Sequence, residues 1–189
     1  MALTQVDEKA ALIIIDLQKG ITGFVDSSAE IVKKSAELAR VFREKGLPVV
    51  LVNVAGRAPG RTEAGPPKGL TFAPDWTELV PELGQQAGDL LVTKHRVGAF
   101  LGTNLDELLR ERGVTQVFLT GIATGSGVES TARSAYDLGY NVVFVVDAMA
   151  DRDAEIHRHC VTKAFPKLGE TETAEGVLKT LTTPFTASR

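Results

Sequence analysis

Residues 11–15 (A-L-I-I-I) form an unbroken apolar run that stops at Asp16. A run this short, β-branched and without alternation describes a strand covered on both faces, and such strands belong to parallel sheets flanked by helices. Further strands are read at residues 47–54 (L-P-V-V-L-V-N-V), 117–119 and 141–146 (N-V-V-F-V-V), with a short one at 90–93. Helical spacing fills the intervals. Ser27 or Ser28 can cap a helix that turns Ile31, Val32, Ala36, Leu38, Ala39 and Phe42 inward, and Lys45-Gly46 ends it. Residues 104–112 present Leu105, Leu108 and Leu109. Residues 153–165 present Ile156, Val161 and Ala164. A short strand at 169–171 and a helix over 174–181 close the series, and the tail after about residue 182 is expected to fray. Strand and helix alternate throughout, so the expected architecture is a three-layer α/β/α domain around a parallel, Rossmann-like sheet. At 189 residues, with no linker or repeat, a single domain spanning 1–189 is expected.

In such sheets ligands bind beyond the carboxyl ends of the strands. The residues that follow the apolar runs are Asp16, Asn53, Lys94, the stretch 121–127 and Asp147. Asp16 and Lys94 therefore reach one rim from separate strands. They can be a plain ion pair closing the top of the sheet, or an acid/base pair tuned by its surroundings. Residues 121–139 read G-I-A-T-G-S-G-V-E-S-T-A-R-S-A-Y-D-L-G, a strand-to-helix turn with Gly127 and Val128 at the helix start and Thr131, Ala132, Ala135 and Leu138 at helical spacing after it. Such a turn aims free backbone N–H groups at a crevice, or it is simply a tight connector. Gln18 and Phe24 follow Asp16 on the same rim. With Arg57, Arg61 and Ser126 they are the candidate substrate-binding residues. The arginines can grip a carboxylate, or can belong to a solvated loop over residues 55–75, which is rich in Gly, Pro and Arg. Ser126 lies in T-G-S-G, not in a G-x-S-x-G elbow, and His95, His157 and His159 are not placed as its base.

Composition narrows the partners. A net charge of −3 gives no case for nucleic acid or an anionic membrane, although Arg57, Arg61, Lys68, Lys94, His95 and Arg96 can make a local positive pocket. No signal peptide or membrane span is legible, so the cytoplasm is the expected location. The single cysteine, Cys160, forms no internal disulfide, and beside His157 it reads as a packed thiol, not a metal ligand.

Taken together, A-L-I-I-I-D-L-Q, V-T-K-H-R-V-G-A-F, the 121–139 stretch, V-V-D-A-M-A-D and F-P-K-L-G-E-T resemble the isochorismatase-like hydrolase superfamily, which also contains nicotinamidases and carbamoylsarcosine amidases. The resemblance implies a triad of Asp, Lys and Cys on three strand ends, with Asp16 and Lys94 in the first two places. It places the family's cis peptide between Ile122 and Ala123. The cysteine position is Gly127 here. The nicotinamidases' D-x-H zinc pattern is absent, so neither metal nor other cofactor is expected. Isochorismatases share a glycine at the nucleophile position, and the resemblance then implies protonation of an enol-ether carbon by Asp16, with Lys94 orienting acid and substrate. The turn reads T-G-S-G-V where isochorismatases carry Y-A-H-x-G, so the expectation is a small enol-ether or carboxylate-bearing substrate. The alternative is a pseudoenzyme or ligand-binding module derived from a cysteine amidase. A homodimer or homotetramer is expected from the family, with Phe72, Trp76, Phe100 and Leu101 as candidate contacts or cavity walls.

Overall fold

A computed structural model of the chain describes residues 3–63 and 73–182. Strands β1 (Ala10–Ile15), β2 (Val49–Val54), β3 (Leu90–Lys94), β4 (Gln116–Ile122), β5 (Asn141–Ala150) and β6 (Glu170–Glu172) form one sheet in the order β3-β2-β1-β4-β5-β6, with every pairing parallel. The helices are α1 (Lys19–Thr22), α2 (Ser28–Glu44), α3 (Leu105–Glu111), α4 (Glu129–Asp137), α5 (Ala154–His159) and α6 (Ala174–Thr182).

The β1 run is apolar at every position because both of its faces are covered. Ala10, Leu12 and Ile14 pack with α2 and α6 through Phe42, Leu38 and Val177, whereas Ala11, Ile13 and Ile15 pack with α3 and α4 through Leu105, Leu109 and Ala132. The chain leaves β1 for β2 and β3 on one side, then returns to β4 on the other. That reversal opens a crevice at the carboxyl ends of β1 and β4, where parallel sheets place ligands. Gly121 pairs with Ile15 across this line, and at its φ of 118° a Cβ would run into the Ile15 backbone. Only glycine lets β4 pass so close to β1.

Several expected details differ. Strand β5 runs to Ala150 because its register against β4 shifts between Leu119 and Gly121, so Asp147 is inside the strand and not at its end. The Asp147 carboxylate accepts bonds from Lys34 (3.0 Å) and the Ala174 N–H (2.7 Å), a structural task away from the rim. Asn53 likewise turns aside and donates to Thr77 O at 2.8 Å. The segment expected as one helix over 153–165 breaks after His159 into a wide five-residue π-type turn, Cys160–Ala164, and a tight turn, Phe165–Lys167, where Pro166 has no N–H to continue a helix. Its buried side chains are Cys160 and Phe165, the latter stacked on Phe144 at 3.8 Å, while Ile156 is 45% exposed. In α2 the buried position is Ser35, bonded to Thr120 at 3.1 Å, while Ala36 is half-buried. Ser27 stands at the N-cap without a side-chain bond, and Leu138 is partly exposed. Phe100 is buried against Tyr140, Leu101 is exposed and Trp76 packs over Gly20, so none of the three walls the crevice. Lys68, Phe72 and the tail after residue 182 lie outside the described residues. No helix among the described residues is long and apolar enough to cross a membrane.

Candidate active site

Asp16 ends β1 in a left-handed conformation (φ 53°), which Asp and Asn tolerate better than other side-chain-bearing residues. Its N–H stays tied to Val52 O at 2.9 Å, and the bend turns its carboxyl across the top of the sheet. Lys94, the last residue of β3, reaches back over β2 and its Nζ lies 2.7 Å from Asp16 Oδ2. Val97 O accepts a second bond from Nζ at 2.8 Å. Both side chains are buried, and Asp16 Oδ1 has no hydrogen-bond partner. Burial pushes the Asp16 carboxyl up from 3.8 to about 6, against the opposing pull of the Lys94 charge and hydrogen bond. The competition between desolvation and ion pairing is therefore won by desolvation.

The pair opens into a cavity of about 280 Å³ walled by Ile21, Phe24, Val25, Val54, Val97 and Ile122. The Ile122–Ala123 peptide is cis, and residues Thr124–Val128 make a wide π-type turn that leads into α4. Gly127 is buried, and a Cβ built there would lie 3.2 Å from Asp16 Oδ2 and 3.6 Å from Lys94 Nζ. Position 127 is thus where a third functional side chain would meet the pair, and it carries none. Cys160 is not among the lining residues. Its Sγ donates to Glu129 Oε2 at 3.2 Å, and burial with that neighbouring carboxylate pushes the thiol up to about 12.

Arg57, Arg96 and Arg152 bring positive charge to the cavity, and none of them makes an ion pair among the described residues. The Arg152 guanidinium sits 5.3 Å from the centre of the Phe24 ring. The sheet order puts Arg57 and Arg96, after β2 and β3, on the side of Asp16 opposite to Arg152, after β5.

The other sequence candidates separate clearly. Phe24, Arg57 and Ser126 line the cavity, whereas Arg61 is exposed outside it. Gln18 does not face it. This wholly buried amide accepts from Val54 N–H (2.7 Å) and donates to Val54 O (3.0 Å) and Trp76 O (2.9 Å), holding the end of β2. Ser126 has no histidine beside it among the described residues. His157 Nδ1 lies instead 2.8 Å from Thr124 Oγ1, and burial lowers the imidazole below its ordinary range despite nearby Asp151. Arg152 escaped sequence reasoning because Asp147 looked like the end of β5. The acidic pair in A-M-A-D-R-D, flanking it just after the true strand end, was the available signal. Among the described residues no cluster of His, Cys, Asp and Glu could hold a metal ion.

Comparison with known proteins adds context to this geometry. The isochorismatase domain matches residues 10–176. The solved structure of an isochorismatase family protein from Burkholderia thailandensis is 43% identical, covers 95% of this chain and 98% of its own, and superposes with a TM-score of 0.89. YwoC of Bacillus subtilis, an uncharacterized isochorismatase family protein, is 42% identical over 178 residues, covering 91% of this chain and 94% of that one. The ureidoacrylate amidohydrolase RutB of Pseudomonas syringae is 30% identical over 172 residues, covering 74% of this chain and 70% of that one.

Proposed function

The chain belongs to the isochorismatase family of hydrolases, and we propose that it cleaves a small, carboxylate-bearing enol ether by acid catalysis from Asp16, without a covalent cysteine step. The observation that carries this reading is the buried, unpartnered Oδ1 of a carboxyl whose affinity for a proton is raised to about 6. At pH 7 such a group is protonated roughly a hundred times more often than an ordinary Asp. Oδ2 is committed to Lys94, so Oδ1 is the atom free to deliver the proton.

Transfer of that proton to the terminal enol-ether carbon leaves an oxocarbenium ion at the adjacent carbon. The Asp16 carboxylate formed in the same step is stabilised by Lys94 and in turn stabilises the cation. Water adds to the cationic carbon and returns its proton to Asp16. The resulting hemiketal collapses to a ketone and an alcohol, the departing ether oxygen taking up the proton that the hydroxyl gives up. No side-chain nucleophile is needed, which agrees with a bare Gly127 and with Cys160 held as a thiol outside the cavity. The cavity volume suits a substrate of modest size, and Arg57, Arg96 and Arg152 supply charge for its carboxylate.

The test is turnover of a panel of small enol ethers that includes isochorismate, with ureidoacrylate as the amide control. The expected result is enol-ether cleavage that weakens as pH rises through about 6, and at least about a hundredfold loss in Asp16→Asn. A well-folded Asp16→Asn protein with undiminished turnover refutes the reading. Because Gly127 offers no nucleophile, a second reading is a ligand-binding module descended from a cysteine amidase. Calorimetric binding of panel members without product from any of them would favour it.

A further inference from the structure

The turn beside the catalytic pair is fastened from outside the cavity. Ala123, Ser126 and Gly127 line the cavity, and Gly127 makes the close approach to Asp16. The residues between and just after them, Thr124, Gly125 and Glu129, are held by bonds from the segment that follows β5. Asp151 Oδ2 accepts the Gly125 N–H at 2.8 Å, His157 Nδ1 and Thr124 Oγ1 lie 2.8 Å apart, and Cys160 bonds Glu129, the first residue of α4. Three residues of one segment thus each grip a different residue of the other. At Gly125 the two come so close that a Cβ would overlap an Ile156 methyl. Neither Asp151 nor His157 lines the cavity.

The turn needs such support. Its π-type geometry is rare and seldom extends beyond one turn, so isolated π-turns depend on their surroundings to persist. Thr124 is fully buried, and its hydroxyl without a partner would cost free energy. We infer that Asp151 and His157 are positioning residues that clamp the 123–127 turn over Asp16 and so keep water from that carboxyl. Arg152 lies between them in sequence, so the same clamp sets the rim arginine above Phe24. The inference rests on the reading of Asp16 as the acid, and it adds the groups that keep the acid poised without touching it.

The readout is the Asp16 titration itself, followed by carboxyl ¹³C NMR on the full chain labelled at Asp and assigned with Asp16→Asn. Lys94 contacts Asp16, Arg57, Arg96 and Arg152 lie around it in the cavity, and none of them changes in these variants. The wild-type midpoint is expected at about 6, and in Asp151→Ala, His157→Ala and Thr124→Val it should fall toward 3.8 as water reaches the carboxyl. Asp151→Asn and Thr124→Ser retain the bonding oxygen and should restore it. A purely structural role lowers the melting temperature of folded variants but leaves the midpoint in place, and that result overturns the clamp. Should the alanine variants not fold, Thr124→Val, which removes a single hydroxyl, decides by the same two outcomes. A wild-type midpoint near 3.8 overturns the acid reading and the clamp with it. A raised wild-type midpoint that no folded variant moves overturns the clamp alone.

Discussion

Replacing Lys94 with methionine separates the two forces acting on Asp16. The lysine side chain is 2% exposed, and methionine, unbranched and of similar reach, fills its volume without a charge. What is lost is a positive charge and a hydrogen bond 2.7 Å from Oδ2, both of which favour the carboxylate. A contact of this kind lowers a carboxyl by about 1–3 pH units, equivalent to about 1.4–4 kcal/mol. With burial left unopposed, Asp16 in Lys94→Met should titrate about 1–3 pH units above the wild-type protein and be at least half neutral at pH 7. Activity should nevertheless drop by about a hundredfold even at pH 5, because the carboxylate that forms in the transition state has lost its donor. Carboxyl ¹³C NMR gives the midpoint, and a pH–rate profile on the best enol ether gives the consequence. The reasoning fails if the midpoint stays at about 6 or moves down in a folded variant. An unchanged midpoint would mean that Lys94 exerts no pull on the carboxyl, and a fall would mean that burial is not the force that holds the proton.

The remaining predictions concern single groups. A folded-state carboxyl raised from 3.8 to about 6 binds protons more tightly than the unfolded chain does, so its stabilisation is complete below about 4 and is lost as pH rises to about 6. In urea unfolding the wild type should therefore weaken relative to Asp16→Asn by about 2 kcal/mol between pH 4 and pH 7, and a constant difference would contradict this. Gly127→Cys sets a thiol beside Asp16 and Lys94 after Ile15 yields by a few tenths of an ångström, since a Cβ there lies 3.0 Å from Ile15 Cγ2. Hydrolysis of ureidoacrylate should then appear, and its absence in a folded protein with a titratable thiolate would argue against an amidase ancestry. Gln18→Leu removes the bonds to the Val54 N–H, Val54 O and Trp76 O, the last of which keeps the Gly20 N–H, and should cost about 2 kcal/mol in urea unfolding. A raised KM with unchanged stability would instead return Gln18 to the substrate.

The parts of the site legible in the sequence are those fixed by one strand at a time. An apolar run with no polar face describes a covered strand, as β1 is; Asp16 at its end and Lys94 at the end of β3, an edge strand with Leu91 exposed, reach one rim because the strands run parallel. Gly127 at the tip of the next helix followed from the same counting. What escaped depends on neighbours distant in the chain. Gln18 looked like a residue for ligands, but the N–H and C=O of Val54 at the end of β2 claim its amide. Asp147 looked like a strand end because it is polar, and the register shift that carries β5 past it leaves no mark in the local pattern. The Asp16 titration is likewise a contest between burial and one ion pair, both set by tertiary packing.

Asp16 is the one side-chain-bearing residue with a left-handed backbone among the described residues. That conformation is open to Asn and Gly and hostile to branched side chains. The cheapest route from catalyst to silent binder is therefore a swap of one oxygen for one nitrogen, which chain geometry would pass without objection. An orthologue disarmed in that way would refold, express and crystallise like its active parent, and only an assay of its chemistry would expose the difference.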